Sequence, residues 1–119
     1  MLPTFEPRHP ASGYLRRNVS SPDHPSPLRI VEVEFPAGQR VVLESGSPTT
    51  AIDQQVWVIE GRMTLTLGGF SHRLEAGDCL ALHVDGPVEF HNPGPQPSRY
   101  AVVIANTAQL RGPNQQVLR

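Results

Sequence analysis

Cysteine is nearly absent. Cys79 is the only one, so no disulfide can close within the chain. Lysine is missing altogether; all ten basic residues are arginine, which reads as a bias of genome composition rather than of function. No run of five or more like charges occurs, and the formal net charge is −1. The electrostatic footprint of a polyanion-binding protein is therefore lacking, and no direct nucleic-acid contact is expected. No apolar stretch reaches the length of a signal peptide or a membrane span, so the expectation is a cytoplasmic chain with no membrane partner. No helical period is sustained anywhere. At 119 residues the chain is long enough for one domain. Such a domain buries roughly two thirds of its unfolded surface, enough for a core without staples.

Turn formers and short apolar alternations are what the sequence does contain. Thirteen prolines and ten glycines punctuate it. Six of the prolines fall in residues 1–27. The run from Ser21 to Pro27 cannot be helical, because proline fixes φ and removes a donor. Residues 1–27 read as an extended arm, draped on the domain or on a second subunit or else a loose tail, with order expected around Tyr14 and Leu15. From Leu28 the pattern has period two: Leu28, Ile30 and Glu32 on one face, Arg29, Val31, Val33 and Phe35 on the core side. Strands are expected at 40–44, 54–60, 63–67, 70–74, 79–84, 88–91 and 100–106. Gln54–Glu60 carries β-branched and aromatic residues on both faces and reads as buried on both. Gly68-Gly69 marks a hairpin. Residues 107–119 read as a tail. Many short strands at turn-signal spacing indicate an all-β sandwich or barrel over residues 28–106.

Three segments narrow that choice: Val56-Trp57-Val58-Ile59-Glu60-Gly61-Arg62, Glu75-Ala76-Gly77-Asp78, and Phe90-His91-Asn92-Pro93-Gly94. In that order they resemble the cupin superfamily, and the second half is most similar to the cupin sensor domains that follow helix-turn-helix regions in bacterial regulators. No DNA-binding region accompanies them here. The resemblance implies a jelly-roll β-barrel (a double-stranded β-helix) over 28–106, with a pocket that usually holds a metal. It also implies where the ligands of that metal belong, and the chain departs from the pattern there. Counting back from Gly61 puts the carboxylate position at Gln54. No histidine lies between His24 and His72, so the His-x-His pair has no counterpart. Counting forward from Gly77 puts His83 at the proline position, Asp85 at the glycine position and Val88 at the last histidine position, with Asn92 in register.

A carboxamide is a poor ligand for zinc or iron, and valine is none. No metal and no other cofactor is therefore expected. Gln54 reads instead as a neutral hydrogen bonder in the pocket. The period-two rule adds Val56 beside Gln54, and Phe90 beside Val88. Glu44 is a candidate at the strand that normally carries the first ligands, and His83 a candidate at the pocket rim. His91 points outward by the same rule. Cys79 reads as a buried, inert thiol. Arg40 is placed to pair with Glu44 or to hold a ligand carboxylate. Trp57 and Ile59, opposite Gln54, lie on the side through which cupins commonly dimerise, so a homodimer is expected. The function that fits is a small-molecule binding or sensing barrel without metal. The alternative is an enzyme of the dioxygenase or isomerase/epimerase type with a non-standard or metal-free site; a third reading is a barrel that only mediates association.

Overall fold

The computed structural model describes residues 13–44 and 52–105. Among them are nine strands and no helix: β1 (Leu15–Asn18), β2 (Leu28–Phe35), β3 (Arg40–Glu44), β4 (Ile52–Glu60), β5 (Arg62–Leu67), β6 (Phe70–Glu75), β7 (Cys79–Val84), β8 (Pro87–His91) and β9 (Ser98–Ala105). They form two antiparallel sheets packed face to face, ordered β1-β2-β9-β4-β7 and β3-β8-β5-β6. The crossing connections are those of a jelly roll.

Alternation sets the core. Val31, Val33 and Phe35 on β2 share the inner face of the five-stranded sheet with Val56 and Val58 on β4 and Tyr100 and Val102 on β9, and all are buried. From the other sheet come Val41, Met63, Leu65, Leu74, Val88 and Phe90. An aromatic row runs through this core: Tyr14 stacks on Phe35 at 5.8 Å, Phe35 lies 6.5 Å from Tyr100, and Tyr100 stacks on Phe90 at 5.9 Å. Offset stacking at such distances adds to the area that the rings bury.

The motif residues hold the corners. Gly61 has φ +77°, and a Cβ on it would stand 2.5 Å from the Ser98 hydroxyl oxygen and 3.0 Å from the Pro97 carbonyl oxygen. Ser98 uses that space to join two strands: its hydroxyl donates to the Arg62 carbonyl at 2.6 Å and accepts from the Arg62 amide at 3.0 Å. Asn92 is fully buried. Its side-chain amide donates to the carbonyls of Phe35 and Gln96, and its side-chain oxygen accepts from the Gly94 amide at 2.9 Å. The Asp78 carboxylate caps the Glu75 amide at 2.8 Å in the turn that opens β7.

Three expectations change. Residues 15–18 form an edge strand on β2, although Leu15-Arg16-Arg17-Asn18 shows no apolar alternation; the backbone ladder to residues 31–34 places them. β4 is buried on one face only: Gln54, Val56 and Val58 are inside, while Gln55 and Trp57 are exposed, because no described residue covers that side of the five-stranded sheet. Cys79 is exposed rather than buried. It opens β7 on the outward parity and lies 3.6 Å from the Gln55 side-chain oxygen. Residues 45–51, the first twelve residues of the arm and the tail lie outside the described residues.

Candidate functional site

A cavity of about 200 Å³ opens between the sheets at the end where β2 and β4 begin and β3 and β9 end. Its apolar lining includes Val31, Val33, Val88, Phe90, Val102 and Ile104. Its polar lining consists of Tyr14, Arg16, Arg29, Glu44, Gln54 and Tyr100. The strand registers explain this gathering. Gln54 stands opposite Ile104, and Arg29 stands opposite the same Ile104 from the other flank of β9. Residues directly opposite in a ladder share a face, so all three look inward. Arg16 pairs with Val33 and faces the same interior.

Of the six residues singled out from the sequence, four meet at this cavity: Gln54, Val88, Phe90 and Glu44. Gln54 is 8 % exposed, and Val88 and Phe90 are buried beside it. Glu44 is an exposed residue at the rim, on the last position of β3. The other two are elsewhere. Val56 is fully buried in the core and is not part of the lining. His83 is not at the pocket rim: Leu82 and Val84 on either side of it are buried, so parity sends it outward, where its Nδ1 contacts the Asp53 carboxylate at 2.8 Å. Arg40 pairs with Glu89 on β8 rather than with Glu44.

Sequence reasoning did not single out Tyr14, Arg16, Arg29 or Tyr100 for the site. Arg29 carried the available signal, a charged residue on the core parity of β2 at the strand's first turn inward. Tyr100 is 3 % exposed. Burial pushes its phenol far above the ordinary value; Tyr14 raises it further and the Arg16 guanidinium opposes. The hydroxyl thus stays neutral and available to donate at any pH the fold tolerates.

The donor set speaks directly to the metal implied by the fold. Oxygen donors in the cavity are one carboxylate, one carboxamide and two phenols, with no imidazole or thiolate. Among the described residues, no group of three or more His, Cys, Asp or Glu is placed to hold a metal ion. These residues do not fit a transition-metal centre of the usual cupin kind. Among the described residues, no helix is long and apolar enough to cross a membrane.

No protein-family model matches the sequence, and no curated protein matches it. Solved structures do resemble it. The cupin domain of an XRE family transcriptional regulator from Enterobacter cloacae superposes with a TM-score of 0.66 at 16% identity, covering 77% of this chain and 95% of that one. KdgF from Halomonas sp. gives 0.68 at 20% identity, covering 87% and 86%. An RmlC-like cupin from Shewanella frigidimarina gives 0.64 at 17% identity, covering 86% and 84%. At such identities the likeness speaks for architecture, and with the two sheets, the strand order and the three motif corners it leads to one conclusion: this chain has the cupin jelly-roll fold.

Proposed function

We propose that the chain is a small-molecule-binding cupin that works without a metal. The observation that carries this reading is the cavity of about 200 Å³, apolar on most sides, with the Gln54 amide turned into it where the fold's metal carboxylate would stand. A concave, largely apolar site with a few fixed polar groups suits a small, partly apolar organic ligand. The similar domain from a transcriptional regulator is consistent with a sensing role. An enzyme reading needs an acid and a base in the cavity. The nearest such candidates, Glu44 and His83, are separated: one is at the rim and the other on the outer face.

The test is a fluorinated fragment library screened by ¹⁹F NMR against the chain and against Gln54→Ala. Binding reads as a set of hits that compete with one another for one site and lose affinity in Gln54→Ala by about 0.5–1.5 kcal/mol, the worth of one neutral hydrogen bond. Hits that bind without mutual competition, or that ignore the substitution, contradict it.

We also propose a homodimer through the outer face of the five-stranded sheet. Leu28, Ile30 and Trp57 are 52 %, 41 % and 49 % exposed there. The ladder sets Ile30 beside Val103, and Trp57 beside Ala101 and Cys79. Arg99, bonded to Glu32 at 3.1 Å and Glu60 at 2.8 Å, provides a charged border. An apolar centre with a polar rim is the usual anatomy of a self-association surface.

A further inference from the structure

We infer that the ligand of this cavity is dipolar: a small zwitterion with an apolar body, the chemistry of an apolar amino acid. Arg29 meets its carboxylate and Glu44 its ammonium group. The inference rests on the binding reading above and adds the chemical class.

Two observations carry it. The first is where the charges of the mouth come from. Arg29 belongs to β2 in the five-stranded sheet, Glu44 closes β3 in the four-stranded sheet, and both line the same cavity. One sheet therefore brings a positive border to the mouth and the other a negative one. Arg16, the other cation of the lining, already has an interaction of its own. The second observation is that neither border charge is engaged. Arg17, Arg40, Arg62 and Arg99 each pair with a carboxylate. Among the described residues, Arg29 and Glu44 form no ion pair, with each other or with any neighbour. Their charged atoms stand apart at one opening.

Two opposite charges that do not touch make a dipolar field. A ligand of one sign is drawn to one border and repelled by the other, so the two contributions oppose. An uncharged ligand brings no ionised group to either border and makes only the weaker class of charge-assisted bond. A zwitterion laid along the field gains at both ends. The guanidinium presents parallel N–H donors that match two carboxylate oxygens, and the Glu44 carboxylate accepts from an ammonium group. The apolar wall of Val31, Val88, Val102 and Ile104 then receives the body of the ligand. Both charges stay at the wet mouth while the carbon skeleton goes inward, which avoids the cost of burying an unpaired ion.

The experiment uses leucine and three relatives of the same carbon skeleton. These are 4-methylpentanoate, which lacks the ammonium group, 3-methylbutylamine, which lacks the carboxylate, and 4-methylpentanamide, which is uncharged. Affinities are measured by ligand-observed NMR on the intact chain, on Arg29→Gln and on Glu44→Gln. The expected result is that leucine binds about tenfold more tightly than each relative, the worth of one hydrogen bond to a charged group. Arg29→Gln removes the advantage over the amine, and Glu44→Gln removes the advantage over the acid. Both residues are exposed, so neither substitution threatens the fold. An acid that binds as well as leucine, with Glu44→Gln without effect, overturns the dipolar assignment and leaves the binding site standing. An amine that binds as well, with Arg29→Gln without effect, does the same. If none of the four binds while fluorinated fragments compete for the Gln54 site, the zwitterion class is again wrong. If nothing binds in either screen, both readings fall.

Discussion

Gln54, Val88 and Tyr100 define what this cavity can and cannot do. By the motif count, the first two stand where the resemblance implies a carboxylate and an imidazole, and a carboxamide and an isopropyl group suit hydrogen bonding and apolar contact rather than coordination. Tyr100 gives the site a donor whose proton is held firmly, and that has a consequence for stability. Its folded pKa is raised above the ordinary tyrosine value near 10. Below that value both folded and unfolded chains hold the proton, and the residue adds no pH dependence. Above it the unfolded chain releases the proton first, so the unfolded state binds fewer protons and stability falls as pH rises. Denaturant titrations from pH 8 to pH 11 should show a decline above pH 10 that is smaller in Tyr100→Phe; identical slopes in both proteins would remove the account of a buried neutral phenol. Gly61 makes a separate point at the same scale. Alanine there meets both a φ of +77° and a hydroxyl oxygen 2.5 Å away. Gly61→Ala should cost on the order of 1–3 kcal/mol in urea unfolding, with the slope against denaturant unchanged. A substitution that leaves the midpoint where it was would show that this corner can relax.

At the level of strands, parity carried most of the information. The inward set on β2 was legible from Arg29, Val31, Val33 and Phe35 because one face is buried and a one-residue slip would invert it. The corners at Gly61, Gly77 and Asn92 were legible because their spacing is set by turns that recur in this fold. β4 was misread as buried on both faces: β-branched and aromatic residues on both sides of a strand give the same pattern whether the second face meets a core or an interface. β1 was legible only as an ordered, extended stretch around Tyr14 and Leu15, not as a strand. An edge strand is recruited by a neighbour's unpaired backbone, and Leu15-Arg16-Arg17-Asn18 needs no apolar stripe for that. The cavity's Gln54, Val88 and Phe90 followed from counting along motifs, whereas Tyr100 and Arg16 come from strands distant in sequence and only the sheet order brings them in. His83 was placed by motif position and not by its own parity, which sends it to the surface. The exposed row on β4 has a measurable outcome. Trp57→Glu puts a charge in the centre of the proposed interface, where leaving it unpaired costs several kcal/mol. Light scattering at tens of micromolar should give twice the 13.0 kDa chain mass for the parent and the chain mass for Trp57→Glu. A parent that stays monomeric would remove the dimer.

Among the described residues the sandwich has one closed end and one open end. The buried corner of Asn92, Ser98 and Gly61 locks the first; the second is bordered by Glu44, Arg29 and Gln54, and the core thins there into a cavity. The division gives a direct test, because valine and isoleucine methyl groups report on the interior and the exterior separately. Val31, Val33, Val88, Val102 and Ile104 line the cavity, whereas Val42 and Ile30 are exposed. In a methyl-labelled NMR titration with a competing hit of the ¹⁹F fragment screen, the account predicts shifts at the five lining residues that saturate together, with Val42 and Ile30 unmoved. Shifts confined to Val42 or Ile30, with the five lining residues still, would contradict it.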